Sequence, residues 1–268
     1  YKWGGDVGTP TTLTYSFASM DSFIDGGTYT FGSDYYEAFD GVAEFVADTM
    51  LQKFNESSDY HFTTFSELEK ATLTSVLDDW SDASGITFTE VPDDLGTYGD
   101  IRFYLMDFTT WAQDNDAFES GAFAYTPGPV WEKSFPLHGD VFLRSDYEVG
   151  EGLFIHTATH EIGHALGLKH PQDGANSGSF QSVTADQSDK TVMAYDSNVY
   201  DQSGAVIEQP GEFSFLKGDN LLPLDIDAME LLYGGNDDVR SGPNTYTFDP
   251  EIYDPSDVWK AQYRTSIL

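Results

Sequence analysis

Three histidines and a glutamate crowd one short run of this chain, His160-Glu161-Ile162-Gly163-His164-Ala165-Leu166-Gly167-Leu168-Lys169-His170. His160 and His164 are four positions apart, one turn of an α-helix, so both imidazoles leave the same face and two nitrogens can reach one ion at about 2.0–2.1 Å. Glu161 is adjacent but angled aside, which suits a base that approaches an activated water rather than the ion itself. A catalytic zinc site needs a third protein ligand and an open fourth position. His170 supplies the third only if the chain turns, because a continuous helix would carry it out of reach. Gly167 accepts a left-handed conformation without a side-chain penalty and can bring His170 back toward the ion, and Pro171 prevents further helix. Two histidines one turn apart also arise in ordinary packing, but core packing demands no set of three histidines and a glycine at these offsets.

A site of this kind needs rigid elements to hold it. Leu153 to Leu166 reads as the long helix that carries the first two histidines. Thr11 to Phe17 alternates polar with apolar, as a half-buried strand should. Ser66-Glu67-Leu68-Glu69 is a capping-box pattern, and the stripe Leu68, Leu73, Val76, Leu77 and Trp80 predicts an amphipathic helix ending near Gly85. Residues 86–91, 100–106, 121–125 and 139–144 read as strands separated by Gly, Pro and Asp turns. Asp225 to Tyr233 reads as a third helix, stopped by Gly234-Gly235. A further helical spacing, Phe39, Val42, Phe45, Val46, Met50 and Leu51, is interrupted by Gly41. Residues 171–190 are rich in Gly, Ser, Gln and Asp and predict a long loop, which in a compact domain is usually functional or mobile.

Composition narrows the function from another side. The chain has 268 residues, 40% of them hydrophobic and 15% aromatic, enough apolar surface to offset chain entropy. Its 46 Asp and Glu against 12 Lys and Arg give a net charge of −34, which repels phosphate backbones and argues against nucleic acid as a partner. Such acidity suits a salty or calcium-rich exterior, and it also serves plain solubility. Cysteine is absent, so any zinc must be held by nitrogen and oxygen. No apolar run is long enough to span a bilayer, and Tyr1-Lys2-Trp3-Gly4-Gly5 has no signal-peptide pattern. His61, His138 and His156 read as surface or packing residues, with His156 one turn before His160. Asp93-Asp94 and Asp114-Asn115-Asp116 read as solvated surface, since neither continues into the glycine and distant glutamate of an EF-hand loop.

Residues 160–170 match the signature H-E-x-x-H-x-x-G-x-x-H at every specified position, and here the chain resembles the metzincin zinc peptidases. Thr191-Val192-Met193-Ala194-Tyr195 fits the Met-turn of that clan, and a tyrosine two places after the methionine points to its serralysin or astacin groups. His170-Pro171 and the segment Asp225-Ile226-Asp227-Ala228-Met229-Glu230-Leu231-Leu232-Tyr233-Gly234 favour serralysins. Residues 68–91 and 121–127 extend the resemblance, which spans most of residues 1–235. The chain departs from that pattern in two places. Residues 32–60 look longer than the corresponding serralysin segment, and the glycine-rich calcium repeats are missing, with Gly234-Gly235-Asn236-Asp237-Asp238 only a faint echo.

The resemblance implies an α+β metzincin zinc-protease fold, with a twisted, mostly parallel sheet, a long active-site helix and an irregular C-terminal subdomain. Residues 1–235 would form the catalytic domain, its upper part reaching to about 170 and its lower part covering 171–235. Residues 236–268 would be a C-terminal segment, the possible start of an absent calcium-binding β-roll. The implied function is a secreted, extracellular, monomeric zinc endopeptidase acting on proteins and peptides. Its Zn2+ would be held by His160, His164 and His170, with Glu161 as general base and Ca2+ as a further possible cofactor. Tyr195 would ligate zinc at rest and swing away to donate a hydrogen bond to the oxyanion, while Met193 packs beneath the histidines. Phe123 and Tyr125 would lie on an edge strand able to pair with extended substrate. Two alternatives stand beside this reading: a catalytically silent zinc-binding or adhesion module, and another metzincin subgroup, astacin-like or matrix-metalloproteinase-like. A structural zinc site is normally closed by four protein ligands, the absence of cysteine weakens an astacin, and the matrix enzymes lack the tyrosine switch.

Overall fold

The computed structural model describes residues 1–18, 24–25, 28–29, 62–94, 97–106, 122–128, 138–149, 152–171, 191–194, 199–200, 206–208 and 221–236. The helical spacing at 35–54, residues 172–190 of the expected loop, His61, Asp114-Asn115-Asp116, Tyr195 and residues 237–268 lie outside them.

The main sheet combines β1 (Thr11–Phe17), β4 (Phe62–Thr63), β5 (Ile86–Glu90), β6 (Ile101–Met106), β7 (Ala122–Ala124) and β8 (Val141–Arg144). Its path runs β5-β1-β6-β8-β7, with β4 added against β6. The pairs β1–β5, β1–β6 and β6–β8 are parallel, whereas β4 and β7 run antiparallel to their neighbours. This is the mostly parallel sheet expected of an α+β fold of the kind the resemblance implies. Parallel strands are stable when both faces are covered, and the central strand β6 is buried along its whole length. Two short antiparallel pairs stand apart from the main sheet: β2 (Ile24–Asp25) with β3 (Thr28–Tyr29), and β9 (Val199–Tyr200) with β10 (Val206–Glu208).

One face of the sheet meets two helices. The capping box predicted from Ser66 is present at the start of α1 (Glu67–Asp82): Glu69 N–H donates to Ser66 Oγ, and Ser66 N–H donates to the Glu69 carboxylate. Leu73, Val76, Leu77 and Trp80 face the core. Leu68 corrects the predicted stripe, being 63% exposed. Nine residues at about 100° each place it on the side of the helix opposite Leu77. The second helix, α2 (Gly152–Ala165), buries Phe154, Ala158, Ile162 and Ala165, spaced at three and four residues along one stripe. The two helices pack on each other, and α2 also packs on β7 and β8. Full burial of an aliphatic or aromatic side chain such as these contributes about 1.5–3 kcal/mol, so the stripe anchors α2 and leaves its other face for chemistry.

On the opposite face, Phe123, Phe142 and Tyr104 stack at 4.5 and 4.3 Å between ring centroids. Beside them Arg102 makes a bidentate pair with Asp93, at 2.7 and 2.6 Å, and Ser16 Oγ–H donates to the same carboxylate. Asp93 therefore departs from the solvated surface expected of it: its side chain is 3% exposed. The cause is Arg102, whose guanidinium lies on the non-helical face of a buried strand and recruits the nearest carboxylate. The last helix, α3 (Pro223–Tyr233), turns Asp225, Ile226, Met229 and Tyr233 inward.

Candidate metal centre and active site

The sequence of α2 sets its own end. Gly167 adopts φ +104°, its N–H donates to His164 O, and Leu168 N–H donates to Gly163 O, the paired bonds of a Schellman motif. The left-handed glycine reverses the chain, so His170 returns to the histidine face of the helix. His170 Nε2 stands 3.2 Å from His160 Nε2 and 3.0 Å from His164 Nε2. Four ligands arranged tetrahedrally at zinc–nitrogen distances of 2.0–2.1 Å would lie about 3.3 Å apart, close to this spacing.

The tautomers fit a cation as well. His160 Nδ1 lies 2.7 Å from Val192 O, and His164 Nδ1 lies 2.9 Å from Leu168 O. A carbonyl can only accept, so each Nδ1 carries the proton and each Nε2 presents a lone pair to the centre. Lone pairs facing one another at this distance repel unless something positive sits between them. Burial first, then the neighbouring His164, pushes His160 down to about 3, against the bond to Val192 O, and holds the neutral imidazole that a metal requires. With nitrogen donors only and no cysteine in the chain, the set suits zinc. Among the described residues these histidines are the one cluster of three or more candidate metal ligands.

Glu161 is 6% exposed, and its Oε2 has no hydrogen-bond partner among the described residues. Burial pushes its carboxyl up to about 8. Leaving a buried carboxyl oxygen unpartnered is costly, and a cation or a water beside it would offset that cost. Of the other histidines, His138 Nδ1 lies 3.0 Å from Thr126 O, away from the cluster, and His156 is a half-buried residue of α2. Among the described residues β7, which carries Phe123, is the last strand of the sheet path and pairs antiparallel with β8.

Spacing within the motif did not reveal the residues that hold Val192 in place. Asp225, on the first turn of α3, accepts from Thr191 Oγ1–H at 2.5 Å, Val192 N–H at 3.0 Å and Leu222 N–H at 2.9 Å. Thr191 Oγ1 in turn accepts from Met193 N–H at 3.0 Å. The 191–194 turn is thus pinned through a carboxylate, and its Val192 carbonyl orients His160. A signal was present in the sequence: Asp225, Met229 and Tyr233 recur every four residues, and an acid on an apolar stripe implies a buried partner.

A helix bearing converging imidazoles under a mostly parallel sheet, with a buried glutamate beside them, is a scaffold able to hold a metal ion. The family model described as matrixin, Peptidase M10, matches residues 28–198. The chain belongs to that family, and its relatives make it serralysin-like. It is 32% identical over 265 residues to "Serralysin" of Proteus mirabilis, covering 92% of this chain and 45% of that protein. It is 28% identical over 262 residues to "Metallopeptidase AprA" of Pseudomonas marginalis, covering 93% and 51%. "Serralysin" of Photorhabdus laumondii subsp. laumondii is 30% identical over 195 residues, covering 70% and 38%. The chain therefore spans about half the length, or less, of these curated relatives.

Proposed function

We propose that this chain is the catalytic domain of a secreted zinc endopeptidase that hydrolyses peptide bonds in protein substrates. The observation that carries the reading is the convergence of three imidazole Nε2 atoms beside a buried glutamate whose Oε2 has no partner among the described residues. His160, His164 and His170 are the proposed zinc ligands, each offering one nitrogen. When bound, zinc supplies a Lewis acid that polarises the scissile carbonyl and lowers the pKa of water to near neutrality. Glu161 takes the proton from the attacking water, whose oxygen adds to the carbonyl carbon, and returns it to the amine nitrogen as the C–N bond breaks. Burial raises the proton affinity of Glu161 and a nearby cation lowers it, so the carboxyl is tuned between base and acid near neutral pH.

Tyr195 is proposed as a fourth, movable ligand and oxyanion donor, on the strength of its place two residues after Met193. Phe123 and Tyr125 are proposed to lie on an edge strand that pairs with extended substrate, since main-chain hydrogen bonds accept many sequences. Residues 1–235 are proposed as the catalytic domain and 236–268 as the beginning of a calcium-binding segment. Calcium itself rests on the family resemblance. An extracellular, monomeric protein fits the acidic composition and the family. Among the described residues, no helix is long and apolar enough to cross a membrane.

Hydrolysis of a fluorescent casein by wild type, Glu161→Gln and Tyr195→Phe, each with and without a zinc-selective chelator, tests this reading. Wild type should be active only when zinc-loaded. Glu161→Gln should keep its zinc and lose activity by at least about 10²-fold. Turnover by zinc-loaded Glu161→Gln at the wild-type rate would refute the base, and unchanged kcat in Tyr195→Phe would remove the tyrosine role. An inactive wild type with zinc bound would favour a silent module.

A further inference from the structure

The segment between the second and third histidines is held from outside the helix by two remote parts of the chain. Trp3 Nε1–H donates to Ala165 O at 2.8 Å, and Tyr233 Oη–H donates to Leu166 O at 2.7 Å. Trp3 N–H donates to the Tyr233 hydroxyl at 3.1 Å, which joins the two braces into one unit. Ala165 and Leu166 are the last residues before the Gly167 turn, and their carbonyls are among those a helix terminus leaves without an internal partner. Water would satisfy them equally well at an exposed end. Here an indole and a phenol do so, and each comes from an element that needs long-range folding to arrive.

The fit of residues 1–3 is close. A β-carbon at Gly167 would lie 2.4 Å from Tyr1 O, and one at Gly139 would lie 2.7 Å from Trp3 Cζ2. Both glycines have positive φ, +104° and +86°. Two backbone positions without side chains thus form the slot in which this strap lies. On its inner side the same turn offers Leu168 O to His164 Nδ1 and then delivers His170. Any drift of residues 165–168 therefore moves one proposed ligand and releases the ring of another.

We infer that Trp3 and Tyr233 are positioning residues for the metal centre: together they lock the 165–168 turn that orients His164 and places His170. The inference rests on the zinc-site reading for its consequence, and on the strap geometry for its cause. Neither residue touches the proposed ion or substrate. Their effect reaches the site through the backbone of the turn, and it shows first in metal retention and only then in turnover.

The test uses the full chain with Tyr233→Phe, which removes the hydroxyl and keeps the ring, and Trp3→Phe, which removes the indole N–H and leaves a smaller ring. Leu73→Val, a core change in the first half of α1, is the matched destabiliser. In metal-free protein, exchange of the Gly167 and Leu168 amides, normalised to global stability, should quicken in both strap variants and stay unchanged in Leu73→Val. In zinc-loaded protein, loss of zinc to a chelator should quicken ~10-fold in the strap variants, the usual scale for an outer partner of a metal ligand. Excess zinc should restore kcat with KM unaltered. Exchange in the strap variants no faster than in Leu73→Val would overturn the inference whether or not the wild type binds zinc. Faster exchange in the strap variants, together with a wild type that holds no zinc, would uphold the strap and refute the metal centre.

Discussion

The thioether of Met193 is seated against Gly163, in the middle of the motif helix, so closely that a β-carbon at position 163 would lie 2.6 Å from Met193 Sδ. Trp80 Cζ2 closes the other side at 3.3 Å. The turn that orients His160 thus docks on the helix that carries it, between His160 and His164. Gly163→Ala should cost about 1–3 kcal/mol by overpacking and should loosen zinc. Met193→Leu, which keeps the volume, should cost less than about 1.5 kcal/mol. Urea melts with a chelator competition would check both, and a fully stable Gly163→Ala would mean that the contact is loose.

Gly167 faces two independent obstacles to any side chain, its φ of +104° and the Tyr1 carbonyl. Gly167→Ala should therefore lose more than Gly163→Ala, on the order of 2–4 kcal/mol when the backbone and packing costs are combined. Zinc affinity should fall with it, because His170 follows this turn. Denaturant unfolding together with zinc titration would measure the two losses.

Asp225 tests whether the 191–194 turn needs its anchor. Asp225→Ala leaves the Thr191, Val192 and Leu222 donors without their acceptor and should cost about 3 kcal/mol. A double-mutant cycle with Thr191→Val should give a coupling above about 0.5 kcal/mol, since the two side chains share a hydrogen bond. Additive losses would show that the turn holds without the carboxylate.

Asp140 makes a prediction about pH. Burial pushes its carboxyl up to about 7, against the pull of Arg102 and of the Tyr104 hydroxyl that donates to it at 2.9 Å. The folded protein thus holds this proton more tightly than the unfolded chain does. The associated stability is present below about pH 4 and is lost as pH rises through about 7. Asp140→Asn can still accept from Tyr104 and does not titrate. Its stability relative to wild type should rise by roughly 1–3 kcal/mol between pH 4 and pH 8. Thermal melts across that range would record the opposite trend if Arg102 kept Asp140 ionised throughout.

The elements around the site were largely legible. The capping box at Ser66 and the alternation over Thr11–Tyr15 are local signals, and each falls where its period places it; the alternation fails at Ser16, which is buried on Asp93 and the Gly99 N–H. Leu68 and Asp93 were misread for one reason: periodicity and composition describe a residue's neighbours along the chain, and burial depends on neighbours across space. Leu68 lies on the open side of α1, and Asp93 is enclosed by an arginine nine positions away.

The sequence by itself determined the candidate ligand set and its helix. Four-residue spacing, a glycine free to turn left-handed and a third histidine all lie within one eleven-residue segment. Only the tertiary structure decided what holds that set in position: the Val192 carbonyl on His160, the Asp225 carboxylate behind it, and the Trp3–Tyr233 brace on the helix end. These contacts join residues 32, 33, 67, 162 and 230 positions apart. Local chemistry sets which donors and acceptors a residue offers, but which of them meet follows from packing α2 and α3 around one core.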